Sequence, residues 1–358
     1  MKNKEINCLY TEIYVGMGKM VAWWHEYALG FTLRGTREAM GRYGMEITYW
    51  LQQGECNLLI TAALEPAAHD IVSFIDRHGN SIKRFAIEVA DIQETLEHLK
   101  EKKALFVGNG IEWINNAPEQ CGIIRCKLFD DNEIVFIQRV DCEHPLPGFK
   151  EIQPVNNHPK INKIDHFASV VRINESDYWN NYLIDLLDLE HIQTIGEEFF
   201  ANLTTGMKMN VLSSKNGEFN KVIVEPLPEK STKSQVDIFL QHHFGNGIQH
   251  LAFEVNDLIQ IVTEFTSKGI KFTPVPEIYY EELKKESIDL PIDLLRKANI
   301  LCEIDGDKLL LQVFTEPIGD RPTLFYEFIQ RVNDFNGFGS NNVKQLFQSL
   351  ELQLDGKL

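Results

Sequence analysis

What the sequence lacks excludes several classes of protein. Its 358 residues contain no run of about 18 apolar residues, the length that a helix needs to cross a bilayer, so we expect no membrane span. The net charge is −17, and no basic stripe could follow a phosphate backbone, so we expect neither a nucleic-acid nor a membrane partner. The first residues show no apolar segment or small-residue cleavage site, so we expect a cytoplasmic protein.

Cysteine is scarce and is not arranged in pairs. The sequence has six cysteines, and none of them forms a C-x-x-C pair of the kind that is typical of zinc and redox sites. Disulfides are rare in the cytoplasm. We therefore expect reduced, mostly buried thiols at Cys8, Cys56, Cys121, Cys126, Cys142 and Cys302.

Short motifs of common enzyme classes are incomplete. The G-M-G segment at 16–18 precedes a predicted helix but lacks the third glycine and the later acidic residue of a dinucleotide site. The H-E pair at 25–26 does not begin the H-E-x-x-H motif of zinc proteases. His242 and His243 are adjacent on a predicted helix and face different directions, so we interpret both as surface residues.

The sequence contains an internal repeat. Residues 131–139 (DNEIVFIQR) and 323–331 (TLFYEFIQR) share the ending F-I-Q-R, and 85–92 (FAIEVADI) is similar to 251–258 (LAFEVNDL). We therefore predict two similar halves. Each half, at roughly 150 residues, is long enough to bury a core of its own.

The two halves show the same order of predicted elements: a strand, a helix and then three strands. Residues 9–15 alternate as a strand does, and Asp91 is a suitable N-cap for a helix over 91–102. Helices are also predicted over 176–187 and over 341–352. The predicted fold is α+β, built from tandem βαβββ modules, each with a curved, mostly antiparallel sheet, open and barrel-like, and helices outside.

A segment rich in proline separates the halves. Residues 141–163 interrupt the pattern of strands and helices and are predicted to be a linker. The N-terminal domain would then cover residues 1–140, and the C-terminal domain residues 164–358.

The two copies of the repeat differ where chemistry is expected. His250 precedes LAFEV in the second copy, whereas Arg84 precedes FAIEV in the first. Glu327 lies four residues before the final arginine in the second copy, where the first has Val135. We therefore predict a metal site in the second half and a metal-free scaffold in the first.

Two histidines and a glutamate of the second half form a candidate metal site. His166, His250 and Glu327 each lie inside a predicted strand, and Asp165 and Phe167 should face away from His166. Two histidines and one carboxylate form the facial triad of non-heme Fe(II) oxygenases, which leaves positions open for substrate and O₂. The alternative is two core histidines and a chance glutamate, although a buried carboxylate is costly without a partner or a metal.

Several sequence blocks carry a resemblance to a known family. The order IDHF, GIQHLAF, YYEEL, LLLQVFTEP, RPTLFYEFIQR and GFGSNNVKQLF is similar to that of the 4-hydroxyphenylpyruvate dioxygenase and 4-hydroxymandelate synthase family, which has the vicinal-oxygen-chelate fold. The resemblance covers nearly the whole chain and is looser in the first half. It implies an Fe(II) cofactor bound by His166, His250 and Glu327, and a substrate pocket at Gln235, Gln249, Gln312 and Phe314.

Departures from the family pattern indicate which branch is nearer. Residues 222–226 read V-I-V-E-P, where the dioxygenase branch usually has P-I-N-E-P, and Val343 stands where that branch has phenylalanine. Both features resemble the mandelate synthase branch. Met209 fits neither branch, since both usually have serine there. We add Met209, Val222, Val224, Phe338, Asn342 and Val343 to the predicted pocket, which is more aliphatic than that of the dioxygenases.

The resemblance implies oxidative decarboxylation of a 2-oxo acid by O₂. We expect an arylpyruvate, either 4-hydroxyphenylpyruvate or phenylpyruvate, to be hydroxylated at its benzylic carbon to give a mandelate. Alternatives are homogentisate formation in tyrosine breakdown and turnover of an aliphatic 2-oxo acid. A metal-free binding module and an extradiol catechol dioxygenase are competing classes. We also expect a homo-oligomer, a dimer or a tetramer, with a C-terminal lid helix that follows the turn at 337–339.

Overall fold

A computed structural model describes residues 6–153, 159–228, 230, 232–285 and 290–354 of the protein, with side chains up to residue 348. Residues 154–158 of the predicted linker lie outside the described residues. Among the helices in these ranges, none is both long enough and apolar enough to cross a bilayer.

The described part of the N-terminal half contains a nine-stranded sheet and three helices. The elements are β1 (Cys8–Tyr14), α1 (Gly18–Leu29), β2 (Thr32–Met40), β3 (Met45–Gln53), β4 (Cys56–Ala63), α2 (His69–His78), β5 (Ser81–Glu88), α3 (Ile92–Glu101), β6 (Glu112–Asn116), β7 (Glu119–Leu128), β8 (Asn132–Val140) and β9 (Lys150–Glu151).

The described part of the C-terminal half contains an eight-stranded sheet and six helices. The elements are β10 (Ile161–Val170), α4 (Ser176–Leu187), β11 (Glu190–Ile195), β12 (Met207–Ser213), β13 (Asn220–Pro226), α5 (Gln235–His243), β14 (Gly247–Val255), α6 (Leu258–Ser267), α7 (Glu277–Lys285), α8 (Ile292–Lys297), β15 (Leu301–Asp305), β16 (Lys308–Phe314), β17 (Phe325–Val332) and α9 (Ser340–Leu354).

The two sheets repeat one topology. The N-terminal strands follow the order β6-β7-β8-β5-β1-β4-β3-β2, with β9 added at the β2 edge, and the C-terminal strands follow β15-β16-β17-β14-β10-β13-β12-β11. Within each sheet, the central antiparallel pair is flanked by two parallel pairs, β1·β4 and β5·β8 in the first, β10·β13 and β14·β17 in the second. The predicted α+β fold of tandem, mostly antiparallel modules is confirmed.

The strand register shows which residues of the first half correspond to the candidate ligands. Ala86 on β5 is paired with Tyr10 and Val135, just as Ala252 on β14 is paired with His166 and Glu327. The N-terminal half therefore has Tyr10, Arg84 and Val135 at the positions of His166, His250 and Glu327. Arg84 instead forms ion pairs with Glu12 and Glu133, at 3.1 and 3.2 Å.

Helix caps account for several of the predicted boundaries. The Asp91 carboxylate accepts hydrogen bonds from the backbone N–H groups of Gln93 and Glu94, which fixes the start of α3 as predicted. At α5, Ser234 and Asp237 form a reciprocal capping box. Both caps satisfy N–H groups that otherwise have no partner within the helix.

Some elements were not predicted from the sequence. Strand β2, helix α2 and strand β11 lack a clear apolar alternation or a strong cap signal, and they gain order from pairing and packing. Strand β9 lies within the predicted linker and pairs with β2. The exact division of the chain into two domains stays a prediction.

The two halves pack directly against each other. The ring of Phe85 lies 4.9 Å from that of Phe167, centroid to centroid, and the His25 ring is hydrogen-bonded to the Tyr326 hydroxyl at 2.7 Å. The prediction that His243 lies at the surface is wrong: this residue is 1% exposed, and its ring stacks on that of His78 at 4.3 Å. The position of α5 against α2 buries one of the two adjacent histidines and leaves His242 exposed.

The cysteines are free, as the sequence predicts. Four of the six, Cys56, Cys121, Cys126 and Cys302, are buried, and Cys8 and Cys142 are partly exposed. Burial raises the pKa of Cys121 and Cys126 to about 12, so these two thiols stay protonated and behave as small apolar side chains.

Candidate metal centre

Three adjacent strands at the middle of the C-terminal sheet each carry one candidate ligand. His166 lies on β10 and is paired with Ala252 of β14. His250 lies two residues before Ala252, so the two point to the same face of the sheet. Glu327 of β17 is paired with Ala252 on its other side. The register alone therefore places the three side chains on one face.

The three side chains meet at one point. The Nε2 atoms of His166 and His250 lie 3.4 and 3.2 Å from the same carboxylate oxygen of Glu327, Oε2. The candidate donor atoms all lie within 4.8 Å of one another. His166 and Glu327 are 3% and 1% exposed. The structure thus brings together three residues that the sequence analysis selected from positions as far apart as 166 and 327.

The predicted orientation of Asp165 is wrong. An irregularity in the register of β10 between Ile164 and His166 rotates the strand locally. As a result the Asp165 carboxylate does not face away, but accepts a hydrogen bond from Nδ1–H of His166 at 2.9 Å. Arg331 holds this carboxylate in turn, through Nε at 2.7 Å and Nη2 at 2.9 Å. This arrangement orients the His166 ring so that Nε2 points to the centre.

A second chain of hydrogen bonds holds Glu327. Gln312 donates from Nε2 to Oε1 of Glu327 at 2.7 Å, which leaves Oε2 directed at the histidines. The amide of Asn342 on α9 donates to Oε1 of Gln312 at 2.7 Å. The Tyr279 hydroxyl donates to Oδ1 of Asn342 at 3.2 Å. Asn342 is fully buried, so this chain connects the terminal helix to a candidate ligand.

Aromatic side chains and an amide position His250. Its ring stacks on the ring of Phe325 at 4.6 Å, and Phe314 meets it edge-on at 6.2 Å. Its Nδ1 lies 3.4 Å from Oε1 of Gln249, a long hydrogen bond. Nε2 is therefore the nitrogen that faces Glu327.

The electrostatics of the cluster favour positive charge at its centre. Burial disfavours the charged form of Glu327, but the neighbouring imidazoles outweigh burial and lower its pKa to about 2. Burial also opposes the charged form of His166, yet the carboxylates of Asp165 and Glu327 raise its pKa to about 9. Burial lowers the pKa of His250. Protonated His166 thus supplies the positive charge that balances the buried carboxylate of Glu327.

A divalent cation fits this donor set. Two neutral imidazoles and one carboxylate are the ligands of the facial triad, and hydrogen bonds fix the second nitrogen of both rings. A ferrous ion in the place of the proton would be bound by Nε2 of His166, Nε2 of His250 and Oε2 of Glu327. The buried carboxylate, which is costly on its own, then has a partner of opposite charge.

An apolar wall continues from the candidate ligands along the same face of the sheet. Val222 of β13 is paired with Ala168 of β10, which lies two residues after His166. Val224, also on β13, is paired with Met209 of β12. These residues form one buried cluster with Val236 and Phe239 of α5 and Phe347 of α9. The partly buried side chains of Phe338, just before α9, and Val343 of α9 pack against it. The ring of Phe338 lies 5.7 Å from that of His166. The predicted pocket residues of β12, β13 and α9 therefore lie together.

No protein-family model matches the chain. Curated relatives nevertheless match almost its full length. The 4-hydroxyphenylpyruvate dioxygenase of Yarrowia lipolytica is 28% identical over 356 residues, which cover 94% of this chain and 89% of the relative. The enzyme of the same name from Caenorhabditis elegans is 25% identical over 365 residues, 96% of this chain and 91% of the relative.

Solved structures match as well. A mutant of 4-hydroxymandelate synthase from Streptomyces coelicolor superposes with a TM-score of 0.84 at 26% identity, over 98% of this chain and 99% of that one. Over nearly its whole length the chain is therefore similar to the 4-hydroxyphenylpyruvate dioxygenases and to 4-hydroxymandelate synthase. It has the vicinal-oxygen-chelate fold and is a dioxygenase of a family that depends on non-heme iron.

A fusion protein supports the same fold at lower identity. It combines a xylose isomerase-like TIM barrel with a 4-hydroxyphenylpyruvate dioxygenase, and it matches 96% of this chain and 52% of its own length, with a TM-score of 0.72 at 19% identity. At that identity the likeness concerns the fold alone.

Among the pocket residues that resemblance to the dioxygenase family suggested, one lies apart. Gln235 is exposed at the first residue of α5, while its neighbour Val236 is buried in the apolar cluster. Gln312 contacts Glu327, and Gln249 and Phe314 lie beside His250, so these three surround the candidate ligands.

Several residues of the site were missed in the sequence. Phe325 lies two residues before Glu327 and therefore on the same face of β17, a signal that alternation along the strand provides. Phe347 lies four residues after Val343 on the predicted terminal helix, so helical spacing also indicated it. Arg331 belongs to the repeated F-I-Q-R ending but was read only as a marker of duplication. Tyr279 gave no signal of its own, because its contact with Asn342 spans 63 residues.

Proposed function

We propose that this chain is an Fe(II)-dependent dioxygenase of arylpyruvates that produces mandelates. The substrate is 4-hydroxyphenylpyruvate or phenylpyruvate, and the product is (4-hydroxy)mandelate. The observation that supports this most strongly is the convergence of His166, His250 and Glu327 beside an apolar wall. The reaction balances as one arylpyruvate and one O₂ giving one mandelate and one CO₂.

The 2-oxo acid would chelate an Fe(II) ion at this site through its carboxylate and keto oxygens, and the ion would supply the chemistry that activates O₂. His166, His250 and Glu327 would hold the ion, and a set of three protein ligands leaves coordination positions for the substrate and O₂. Asp165 and Gln312 fix the ring of His166 and the carboxylate of Glu327, so the donor atoms need little rearrangement on binding. The 2-oxo acid itself supplies the electrons through its decarboxylation, so the reaction requires no second oxo acid.

The apolar wall orients the ring of the substrate. Met209, Val222 and Val224 offer no hydrogen-bonding side chain to a phenol, so the pocket gains little from a 4-hydroxyl group. A site that binds a hydroxyl strongly rejects analogues without it, and the converse follows for an apolar wall. We therefore expect phenylpyruvate to be accepted alongside 4-hydroxyphenylpyruvate.

The position of the ring determines which carbon is oxidised. A shift of about 1 Å in the placement of reacting groups is enough to change a rate severalfold or more. Val343 on α9 is smaller than the phenylalanine of the dioxygenase branch, and it leaves the ring free to tilt so that the benzylic carbon approaches the reaction centre. This supports the mandelate product over homogentisate, which requires attack on the ring.

Mass spectrometry of the products tests the proposal. The purified protein would be loaded anaerobically with Fe(II), mixed with each arylpyruvate and exposed to O₂. We expect (4-hydroxy)mandelate and one CO₂ per O₂ consumed. Homogentisate as the major product from 4-hydroxyphenylpyruvate would instead establish the alternative of a tyrosine-degrading dioxygenase. Turnover of an aliphatic 2-oxo acid alone would show that the aromatic assignment is wrong.

The competing classes give different spectra. Anaerobic addition of Fe(II) and a 2-oxo acid should produce a weak visible charge-transfer band in the proposed enzyme. A metal-free binding module produces no such band, and an extradiol enzyme requires a catechol in place of the oxo acid.

We also propose a cytoplasmic homo-oligomer, a dimer or a tetramer. Helix α1 and its N-cap residue support this with an exposed apolar face. Met17 at the N-cap and Met20, Trp23 and Tyr27 on the helix are each more than half exposed, at 65%, 52%, 53% and 52%. Such contiguous patches are typical of protein–protein contacts. Sedimentation velocity of the full chain gives the state directly, and a monomer at all concentrations would exclude it.

A further inference from the structure

A second cluster of metal-binding side chains lies in the N-terminal half. Glu119, Cys142 and His144 place one carboxylate oxygen, one sulfur and one ring nitrogen within 4.8 Å of one another. Glu119 is the first residue of β7, and Cys142 and His144 follow the end of β8. Glu119 lies 23 residues before Cys142 and 25 before His144 in sequence, and it meets them because β7 and β8 are paired.

Contacts within the cluster and with neighbouring residues hold each donor in place. Oε1 of Glu119 is hydrogen-bonded to Nδ1 of His144, while its Oε2 accepts from the backbone N–H of Gly148 at 3.0 Å. The His144 ring packs edge-on against Trp50, at 5.8 Å between centroids. Cys142 is held close by, with Sγ 3.4 Å from the backbone oxygen of His144.

The second nitrogen of His144 has the partner that metal-bound histidines usually have. Its Nε2 lies 3.1 Å from Oε1 of Glu151 on β9. A carboxylate on the far nitrogen fixes the ring and makes the near nitrogen a better donor to a metal. Glu151 is exposed, with 72% of its side-chain surface accessible, whereas the side chains of Glu119 and His144 are only 16% and 15% accessible. The cluster therefore has a half-buried donor set and a supporting residue at the surface.

We propose that Glu119, Cys142 and His144 form a zinc-type site, separate from the iron centre. A sulfur, a nitrogen and an oxygen donor match the ligand types of Zn²⁺, with a water as the fourth ligand of a tetrahedron. Soft sulfur distinguishes this site from the C-terminal one, which has only nitrogen and oxygen donors and suits ferrous ion. The donor types therefore favour Zn²⁺ at the site in the N-terminal half and ferrous ion at the site in the C-terminal half.

The place of the cluster in the chain indicates what the metal would do. Cys142 and His144 belong to the segment that leaves β8 and leads, through β9, to the C-terminal half. Glu119 belongs to the sheet itself. A metal bound between them would fasten the connecting segment to the N-terminal sheet, and the nearby cation Arg139 does not oppose it, since Glu88 pairs with Arg139 at 2.7 Å.

Cobalt substitution tests this site without interference from the iron centre. Co²⁺ bound to a thiolate gives an intense near-ultraviolet charge-transfer band, which a site of two histidines and a carboxylate cannot give. We expect the band when Co²⁺ is added to the reduced full-length protein, and its loss when excess Zn²⁺ is added. Cys142→Ser should abolish the band, whereas Glu327→Ala should keep it and lower the number of bound metal ions by one.

Matched variants make the result specific. Cys8→Ser removes the other partly exposed thiol and should leave the band unchanged. Glu151→Gln keeps the three donors and should weaken Co²⁺ and Zn²⁺ binding by about 10- to 100-fold, the usual cost of losing a residue that supports a ligand. Glu119→Gln, which leaves the thiol in place, should weaken binding by at least about tenfold and covers the case in which Cys142→Ser fails to fold.

The opposite results are equally clear. A protein that gives no thiolate band with saturating Co²⁺, or a band that survives in Cys142→Ser, would show that His144 only bridges two carboxylates as a structural ion pair. None of these readouts depends on turnover, so the proposed dioxygenase activity and this site can each fail independently of the other.

Discussion

Arg331 holds Asp165 with two parallel hydrogen bonds, Nε to Oδ2 at 2.7 Å and Nη2 to Oδ1 at 2.9 Å. Its remaining group, Nη1, donates to the backbone oxygens of Phe335 and Gly337, at 3.0 and 2.8 Å. One guanidinium therefore connects the residue that orients His166 to the turn that leads into α9. His166, a candidate metal ligand, and helix α9 therefore share one support.

Replacing Arg331 should weaken iron binding. Arg331→Lys keeps the charge but loses the paired hydrogen bonds to Asp165, so the ring of His166 is held less firmly. We expect Fe(II) affinity to fall by about 10- to 100-fold, measured by competition with a chromophoric chelator. Arg139→Lys is the matched control, since Arg139 ends the same F-I-Q-R segment in the first half. Equal affinity in the wild type and Arg331→Lys would contradict this role.

Asn342 should contribute to stability through Gln312. Asn342→Ala removes the donor to Oε1 of Gln312 and leaves that buried oxygen without this partner, which costs about 1–3 kcal/mol. Chemical denaturation would measure the free energy of unfolding. Asn341→Ala, at the exposed neighbouring position, should change it by no more than about 0.5 kcal/mol. Similar losses in the two variants would argue against the buried chain of hydrogen bonds.

The size of residue 343 should affect the product. Val343→Phe fills space beside Phe338 and restrains the ring of the substrate, so we expect part of the product to shift from mandelate towards homogentisate, or O₂ to be consumed without product. Val343→Leu is the control, because it adds volume without an aromatic face. The ratio of products per O₂ consumed gives the result, and an unchanged ratio in Val343→Phe would show that this residue does not position the ring.

Met209 should set the preference between the two arylpyruvates. Met209→Ser introduces a hydroxyl into the wall opposite Val224 and provides a partner for a phenol. We expect the ratio of kcat/KM for 4-hydroxyphenylpyruvate to that for phenylpyruvate to rise by about 10-fold or more, since a hydrogen bond to a substrate hydroxyl discriminates strongly. Met209→Leu, which stays apolar, should leave the ratio near that of the wild type.

His243 should make the protein less stable in weak acid. Burial lowers its pKa to about 3 from an ordinary value of 6.5, so below pH 6.5 the unfolded chain binds a proton that the folded chain does not. Its contribution is fully present above pH 6.5 and falls as the pH drops from there towards 3. The slope is about 1.4 kcal/mol per pH unit.

Two variants isolate that contribution. Between pH 6 and 4.5, the free energy of unfolding of His243→Gln should fall less steeply with decreasing pH than that of the wild type. The two slopes should differ by about 1.4 kcal/mol per pH unit, the value for one proton. His242→Gln, at the exposed neighbouring position, should keep the slope of the wild type. Identical slopes in all three proteins would show that the buried ring does not control acid stability.

The sequence predicted the fold more completely than the detailed geometry of the site. The repeated F-I-Q-R ending and the histidine before LAFEV identified the two halves and the three candidate ligands, because alternation along strands places such residues on one face. It could not give the direction of Asp165, which depends on a single irregularity in the pairing of β10. Nor could it give the burial of His243, which depends on how α5 meets the other half.

Clusters that only strand pairing assembles were invisible in the sequence. Glu119 lies 23 residues before Cys142, and no spacing rule joins a carboxylate, a thiol and an imidazole at that distance. The apolar wall shows the same limit: Met209 and Val224 were selected by resemblance, but their proximity follows from the register of β12 and β13. Gln235 is exposed at the start of α5, and its place in the pocket stays a prediction.

The guanidinium of Arg84 occupies the place that His250 has in the other sheet, between the carboxylates of Glu12 and Glu133. The charge of Arg84 belongs to a side chain and cannot dissociate, whereas a charge supplied by a bound ion can be removed. A chelator should therefore loosen the protein unevenly: amide hydrogens of β10, β14 and β17 should exchange faster with deuterium after iron is stripped, while those of β1, β5 and β8 keep their protection. At the middle of the first sheet the positive charge is therefore always present, whereas at the equivalent position of the second sheet it would depend on the supply of a metal ion.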